Sequence, residues 1–291
     1  MKIFCIAGAR PNFMKIAPLQ RAFRQHQGIE SHIVHTGQHY DSRMSDVFFQ
    51  QLEIPEPTYH LGVGGGSHTQ QTARIMLEFE KIVEADRPDL VVVVGDVNST
   101  VACALVAAKM QIPMAHVEAG LRSGDRSMPE EINRILTDSI SDHLFVTEYA
   151  GLVNLAKEGI PDRKVHFVGN CMIDSLAHFR PKAAQMGTAA ALGLSPKSYV
   201  LMTMHRPSNV DAEAGLKAIL SMVEGAAQHK KVVLPLHPRT RNNLEKFGLT
   251  ARLAAVRNLL LLEPQGYLEF LDLMENAAAV LTDSGGIQEE T

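Results

Sequence analysis

Tryptophan is absent from this chain of 291 residues, cysteine occurs three times, and neither sign of charge predominates, with 28 lysines and arginines against 32 acids. The missing tryptophan excludes nothing. Cys5, Cys103 and Cys171 are an odd, scattered set without C-x-x-C spacing, which argues against a disulfide framework; they read as buried apolar residues in a reducing compartment. A net charge of −4 leaves no basic footprint for nucleic acid, and no run of like charges marks a disordered tail. No stretch approaches the ~20 apolar residues of a membrane helix, so no membrane insertion is expected. The opening MKIFCIAGARP is too short in apolar length for a secretory signal and reads as a first strand. A cytoplasmic protein is the expectation.

What is present is an ordinary globular balance, 45% hydrophobic and 21% charged, over a length that suits two domains at ~100–200 residues each. Short apolar runs alternate with longer amphipathic ones, the signature of parallel sheets built from βαβ units. The spacing predicts strands at 2–7, 31–36, 90–95, 113–117, 143–147 and 165–169. Helices are predicted at 15–25, 43–51, 68–85, 99–110, 130–141 and 149–158, with another starting at Met172. LVVVVGD shows no polar alternation and reads as a central strand buried on both faces. Residues 180–197, rich in Pro, Gly, Ala and Ser, carry no strand pattern and mark a boundary between domains 1–180 and 181–291. The alternation resumes with strands at 199–204, 231–236, 258–262 and 278–282 and helices at 211–229, 239–247 and 267–276. SGGIQEET reads as a loop opening a helix on whose first turn the chain stops, so the second domain is expected to be incomplete and the chain weakly active or inactive. The expected fold class is α/β, two Rossmann-like domains.

In open α/β sheets ligands bind beyond the carboxyl ends of the strands, so the residues there are the candidates. Gly8-Ala9-Arg10-Pro11, with Lys15 on the following helix, joins a small-residue turn, a helix N-terminus and two cations, a favourable place for an anion or else a plain surface turn. Neither a Walker A nor a G-x-G-x-x-G pattern occurs there, so neither ATP nor NAD is indicated. Ser284-Gly285-Gly286 lets a diphosphate approach the backbone, with Ser284 as cap and a glutamate of Ile287-Gln288-Glu289-Glu290 a turn later for a ribose diol; a glycine-rich loop without a ligand is the alternative. DSGG also resembles a protease string, but no G-x-S-x-G elbow is present. Asp96, Glu118, Glu130 and Glu131 collect near one sheet edge, where partial desolvation and mutual proximity are expected to raise a carboxyl pKa toward proton transfer. Glu130 or Glu131 also suits the positive end of a helix. His35 and His39 straddle a strand end and a glycine, so no metal site is expected. His205-Arg206 follows a strand of the second domain, and Gly64-Gly65-Gly66 reads as a flexible loop rather than a phosphate cradle.

Taken together, GARPNFMKIAPL, TGQHYD, VVVVGDVNST, HVEAGLRSGDRSMPEEINR, TMHRPSN, PQGYLEF and TDSGGIQEE resemble the non-hydrolysing UDP-N-acetylglucosamine 2-epimerases, in order over essentially the whole chain. The resemblance implies two Rossmann-like domains facing a cleft, a GT-B-like arrangement. It implies that Gln265 and Phe270 border the uracil, Glu290 the ribose, and Ser284, Gly285 and Gly286 the diphosphate. Arg10, Lys15 and His205 would reach the phosphates, and Asp96, Glu118 and Glu130 would face the sugar as acid–base residues. The implied reaction interconverts UDP-GlcNAc and UDP-ManNAc, or a modified UDP-HexNAc, by loss and re-addition of UDP, with no cofactor and no metal. The implied partners are a UDP-sugar and, as is common in the family, a second copy in a homodimer.

The chain departs from the family's usual strings at several points. Ala9 and Asn12 replace two letters of GTRPE, and His205-Arg206-Pro207-Ser208-Asn209 lacks the glutamate of H-R-x-E-N. GQHYD and HTQQT match poorly the glutamine–arginine set of allosterically activated members, and the short S-M-P-E-E segment points to a modified sugar such as a diacetamido uronic acid. Two other readings remain: a GT-B-type glycosyltransferase, and a non-catalytic UDP-sugar-binding fragment. Solvent deuterium entering C2 without an acceptor separates an epimerase from both, and liberated UDP would mark a hydrolysing cousin.

Overall fold

The computed structural model describes residues 1–37, 49 and 51–291, and the side chains of residues 10 and 11 lie outside that description. The helix expected at 43–51 and the TGQHYD string from residue 38 onward, His39 included, therefore fall largely or wholly outside the described residues. Two compact units divide the chain, Met1–Ser175 and Leu176–Thr291.

The first unit is built on a parallel sheet of seven strands: β1 (Lys2–Ala7), β2 (Glu30–His35), β3 (Tyr59–His60), β4 (Leu90–Val94), β5 (Met114–Ala119), β6 (His143–Val146) and β7 (Val165–Phe167). Their order is β3-β2-β1-β4-β5-β6-β7. It reverses direction between β1 and β4, the topological switch point of a doubly wound sheet. Strands β1 and β4 are central and, past Lys2, apolar because helices cover both faces; Phe4, Val91 and Val93 are fully enclosed. Helix His68–Ala85 turns Gln71, Ile75, Phe79 and Val83, each four residues apart, toward the core and starts on a Ser67–Gln70 capping box. Helix Asn98–Lys109 is small-residue and buried along almost its whole length because it packs against two neighbours, His68–Ala85 and Pro129–Ile140.

The second unit repeats the plan with β8 (Tyr199–Thr203), β9 (Lys231–Pro235), β10 (Leu259–Leu262) and β11 (Ala279–Thr282), all parallel, in the order β10-β9-β8-β11. This is the same order as β3-β2-β1-β4, so a second switch point falls between β8 and β11. Met202, Leu216, Leu220, Val223, Val232 and Leu234 form its core.

Two expectations need correction, and the boundary segment gains structure. Residues 180–197, where no strand was expected and none forms, are largely helical: Cys171–Met186 runs through Pro181, and Thr188–Ala191 follows. Pro181 lies inside the longer helix, where it removes one intrahelical hydrogen bond. Cys171 is only half-buried, unlike Cys5 and Cys103. Gly285 and Gly286 lie in the first turn of helix Gly285–Glu290 rather than in a loop before it, since Ser284 supplies the cap.

The first switch point is closed by one side chain. Asn12, buried at 2% exposure, accepts from the Gly8 and Ala9 N–H groups at 3.0 and 2.9 Å and donates to the Val94 carbonyl at 3.0 Å. An amide can do both, and that carbonyl offers a carboxylate nothing to accept. Gly8 is required by close approach, for a Cβ there would meet the Ser99 Cβ at 2.6 Å. Asn12→Ala is expected to leave the buried Gly8 and Ala9 N–H groups without partners, while Thr100 still donates to the Val94 carbonyl, and to cost about 2–4 kcal/mol; urea unfolding with an unchanged midpoint would contradict it.

Candidate functional site

The carboxyl edge of the first sheet gathers the acids expected there, and all but Glu130 are already matched. Asp96, just past β4, pairs with Arg134 at 2.5 Å, and Glu118 pairs with Lys15. Ion pairs with cations, rather than mutual repulsion, therefore set the surroundings of these carboxylates, which corrects the expected crowding of like charges. Lys15 reaches this edge from helix Arg10–Phe23, in which it is almost fully buried. The side chain of Arg10 lies outside the described residues.

Glu118 stands on unusual backbone. Its φ is +73°, in the left-handed region that a residue with a Cβ avoids, at a cost of about 1–2 kcal/mol. The register of β5 against β6 steps from Val117↔Phe145 to Ala119↔Val146, so Glu118 is the extra residue of a β-bulge. Bulges of this kind turn a side chain out of the pleat and are frequent beside sites of chemistry.

The two acids opening helix Pro129–Ile140 take different roles. Glu131 is buried and accepts from the Ser123 and Gly124 N–H groups at 2.9 Å each, and pairs with Arg134 at 2.7 Å. Burial opposes its charge, but those donors hold it down to about 2, so it clamps the loop as a carboxylate. Glu130 is half-buried and makes no hydrogen bond or ion pair among the described residues. Arg134 thus bridges Glu131 and Asp96, while Asn133 donates to the Asp96 carbonyl at 2.8 Å.

Behind β5 lies a buried network that sequence reading missed. His116 and Asp138 are both fully enclosed. His116 Nε2 donates to the Gly95 carbonyl at 2.8 Å, and Nδ1 meets Asp138 at 2.6 Å. Asp138 also accepts from the Gly120 N–H at 3.0 Å and pairs with Arg122 at 2.8 Å. Burial alone would raise its pKa, but His116 and Arg122 bring it below the usual carboxylate range. Arg122 in turn donates to both oxygens of Glu158, at 2.8 and 2.6 Å. The available signal was a histidine inside an otherwise apolar strand, which needs a buried partner.

In the second unit Asp283, at the end of β11, organises the loop after β8. It accepts from the N–H groups of His205 and Arg206 at 3.0 and 2.9 Å and from the Asn209 side chain at 3.0 Å. Burial opposes its charge, and these donors lower its pKa. His205 also faces it through Nδ1 at 3.2 Å and keeps 44% of its side chain exposed. Ser284 accepts from the Ile287 N–H at 3.5 Å, which opens the helix carrying Gly285 and Gly286. Arg206, flagged in the sequence only as a neighbour of His205, lies against that turn: a Cβ on Gly285 would come within 3.7 Å of its guanidinium. Glu290 is half-buried, accepts from the Tyr267 hydroxyl at 3.2 Å, and is pushed up to about 7 by burial. Gln265 donates to the Glu263 carbonyl at 2.7 Å, and Phe270 is half-buried on helix Tyr267–Asn276.

Among the described residues no group of three or more His, Cys, Asp and Glu could hold a metal ion, and no helix is long and apolar enough to cross a membrane. His35 is buried, which lowers its pKa to about 4, and its ring stacks on Phe13. The 64–66 turn, with Gln70, Ala73 and Arg74, borders a surface hollow of about 570 Å³.

The profile of a family described as UDP-N-acetylglucosamine 2-epimerase matches residues 21–291. The chain is 46% identical over 292 residues to a UDP-N-acetylglucosamine 2-epimerase homolog of Methanococcus maripaludis, covering all of this chain and 80% of that protein. It is 44% identical over 294 residues to the UDP-2,3-diacetamido-2,3-dideoxy-D-glucuronate 2-epimerase of Pseudomonas aeruginosa, again covering all of this chain and 80% of the relative. Among solved structures, the UDP-GlcNAc 2-epimerase of Methanocaldococcus jannaschii in complex with UDP-GlcNAc and UDP superposes with a TM-score of 0.90 at 42% identity, covering 100% of this chain and 81% of that one. Parallel sheets, strand-end acids and a profile spanning nearly the whole sequence agree: the chain belongs to the UDP-N-acetylglucosamine 2-epimerase family.

Proposed function

We propose that this protein inverts C2 of a UDP-linked N-acetylhexosamine, interconverting UDP-GlcNAc and UDP-ManNAc or a diacetamido-uronate analogue, without hydrolysing it. The observation that carries the reading is the pair of acids, Asp96 and Glu118, at the carboxyl ends of adjacent strands, one of them on a strained bulge. The C2 proton has no neighbouring carbonyl to acidify it, so simple deprotonation is prohibitive. Elimination solves this. A carboxylate takes the C2 proton as the C1–O bond breaks and its electron pair leaves on UDP, giving a C1=C2 glycal. UDP then adds back at C1 while a second acid delivers a proton to the opposite face of C2. The step needs proton-transfer groups for two faces, for which Asp96, Glu118 and Glu130 are the candidates, and positive charge for the leaving diphosphate.

In this reading Arg10 and Lys15 of the first unit and His205 of the second supply that charge. Within the second unit Ser284, Gly285 and Gly286 take the diphosphate, Gln265 and Phe270 the uracil, and Glu290 the ribose. The first unit, 1–180 in the sequence-based division, carries the acid–base work, and 181–291 the nucleotide. No cofactor enters the scheme. A relative named for a diacetamido uronate supports testing that sugar beside UDP-GlcNAc. A homodimer, acting in the cytoplasm where UDP-sugars are made, completes the reading.

Incubation with UDP-GlcNAc in heavy water is expected to place one deuterium at C2 with no acceptor and no net release of UDP, read by mass spectrometry. UDP binding without that exchange would leave a binding protein. Asp96→Asn and Glu118→Gln are each expected to lower kcat by about 100-fold or more with KM within a few-fold, the usual size of acid–base effects; steady-state rates near those of the parent would remove the residue from the mechanism.

The raised pKa of Glu290 gives a pH signature. A ribose diol donates hydrogen bonds and so favours the carboxylate, whereas burial pushes the free protein toward the neutral acid below about 7. UDP-GlcNAc, whose diphosphate is esterified at both ends, has no ionisation of its own in this range. Its affinity is therefore expected to weaken as pH falls from 8 to 5.5, approaching about tenfold per unit below the pKa. Glu290→Gln is expected to bind more weakly with a much flatter profile. Calorimetry giving the same pH slope for both proteins would rule out this contact.

A further inference from the structure

We propose that Asp138 is a positioning residue for the reaction, acting by holding Glu118 on its bulge. The proposal rests on the reading of Glu118 as an acid–base residue.

A left-handed glutamate does not stay so by its own preference; the backbone on either side must be held. The restraints converge on one carboxylate. On the N-terminal side, His116 Nδ1 meets Asp138 Oδ1 at 2.6 Å. On the C-terminal side, the Gly120 N–H donates to Asp138 Oδ2 at 3.0 Å, and Arg122 Nη1 pairs with the same oxygen at 2.8 Å. Residues 116, 120 and 122 are thus pinned to a single group, with Glu118 between them. Gly120 itself has φ +83° and lies against the backbone of Gly151, so this side of the bulge has little room to relax. Through its other nitrogen His116 donates to the Gly95 carbonyl at 2.8 Å, the peptide that leads into Asp96. Asp138 touches neither acid directly, and its full burial keeps it from substrate.

Asparagine has the shape of aspartate but must turn an NH2 toward either the His116 side or the Gly120 and Arg122 donors. Turned so that its oxygen keeps the Gly120 and Arg122 donors, it can still meet His116 Nδ1 in the tautomer that accepts there, but it gives up the negative charge that pairs with Arg122 and tightens the whole set. A shift of about 1 Å in a proton-transfer group is enough for a 100-fold loss of rate. Asp138→Asn is therefore expected to lower kcat and C2 deuterium wash-in together by about 10- to 100-fold. KM for UDP-GlcNAc and the Kd for UDP are expected to stay within about twofold of the parent on the same reasoning. A residue that only supports the fold would not split these quantities; unchanged kcat, or kcat and UDP affinity falling together, overturns the proposal.

Coupling to Glu118 is read from the pair. Glu118→Gln with Asp138→Asn is expected to be no slower than Glu118→Gln alone, and multiplied losses would show that Asp138 does not act through Glu118. A Glu118→Gln protein with the parent's rate would instead refute the acid–base reading itself, before Asp138 enters. Should Asp138→Asn not fold, as judged by circular dichroism, Arg122→Gln removes one restraint from the rim of the network. A several-fold fall in kcat, absent in the Glu118→Gln background, is expected of it; an unchanged kcat would overturn the proposal.

Discussion

A parallel sheet obliges the chain to leave every strand at the same edge, because each crossover must return to the opposite end before the next strand begins. The connections that follow the strands are therefore collected along one edge, whatever they contain. Where successive crossovers take opposite directions, between β1 and β4 and again between β8 and β11, the loops diverge and leave a crevice. In the first unit the flanking loops carry Gly8 and Asp96, with Asn12 and Lys15 on the adjoining helix and Glu118 one strand further. In the second they carry His205, Arg206, Asp283 and Ser284. The polar residues cluster because the topology delivers them, not because they attract one another.

The carboxylates at these edges fall into two physical groups. Asp138, Glu131 and Asp283 are enclosed and accept backbone N–H groups, from Gly120, from Ser123 and Gly124, and from His205 and Arg206 respectively. Their pKa values lie below the ordinary range because donors outweigh burial. They act as organisers, turning loops that would otherwise wander into fixed shapes. Asp96, Glu118 and Glu130 accept no such backbone bonds among the described residues, so their oxygens are not committed to the fold in the same way. Glu290 stands apart, since burial without comparable donors lifts it to about 7. Acids committed to the fold and those proposed for the chemistry thus differ in what their oxygens bind, a difference that adjacent Glu130 and Glu131 show within one helical turn.

Much of this architecture was legible in the text of the chain, for identifiable reasons. Strand β4 is an unbroken apolar run, and β1, β8 and β9 are apolar but for Lys2, Thr203 and Lys231 at their ends, which only a sheet covered on both faces tolerates; helix His68–Ala85 announces itself by apolar spacing and its Ser67 cap. The ends were less sharp. The β5 strand was expected to finish at Val117, yet it continues to Ala119 because the bulge absorbs Glu118 and pairing resumes beyond it. The composition of 180–197 marked a boundary without strands, yet the backbone is helical through much of it, with alanines at 183, 184 and 189–191. Strand β3 is two residues long and carries no pattern at all.

Sequence by itself determined the alternation of strands and helices, the side chains available at strand ends, and the strings that mark the family. These follow from local periodicity and residue type, which need no knowledge of neighbours far along the chain. Only the tertiary structure decided that Asn12 bridges β1 to β4, that Arg134 joins Asp96 to Glu131, and that His116 and Asp138 lock the backbone around Glu118. Each of those depends on which strand lies beside which, a long-range property that composition does not encode. A buried polar group must find its partner in space, and the partner's place in the sequence is arbitrary.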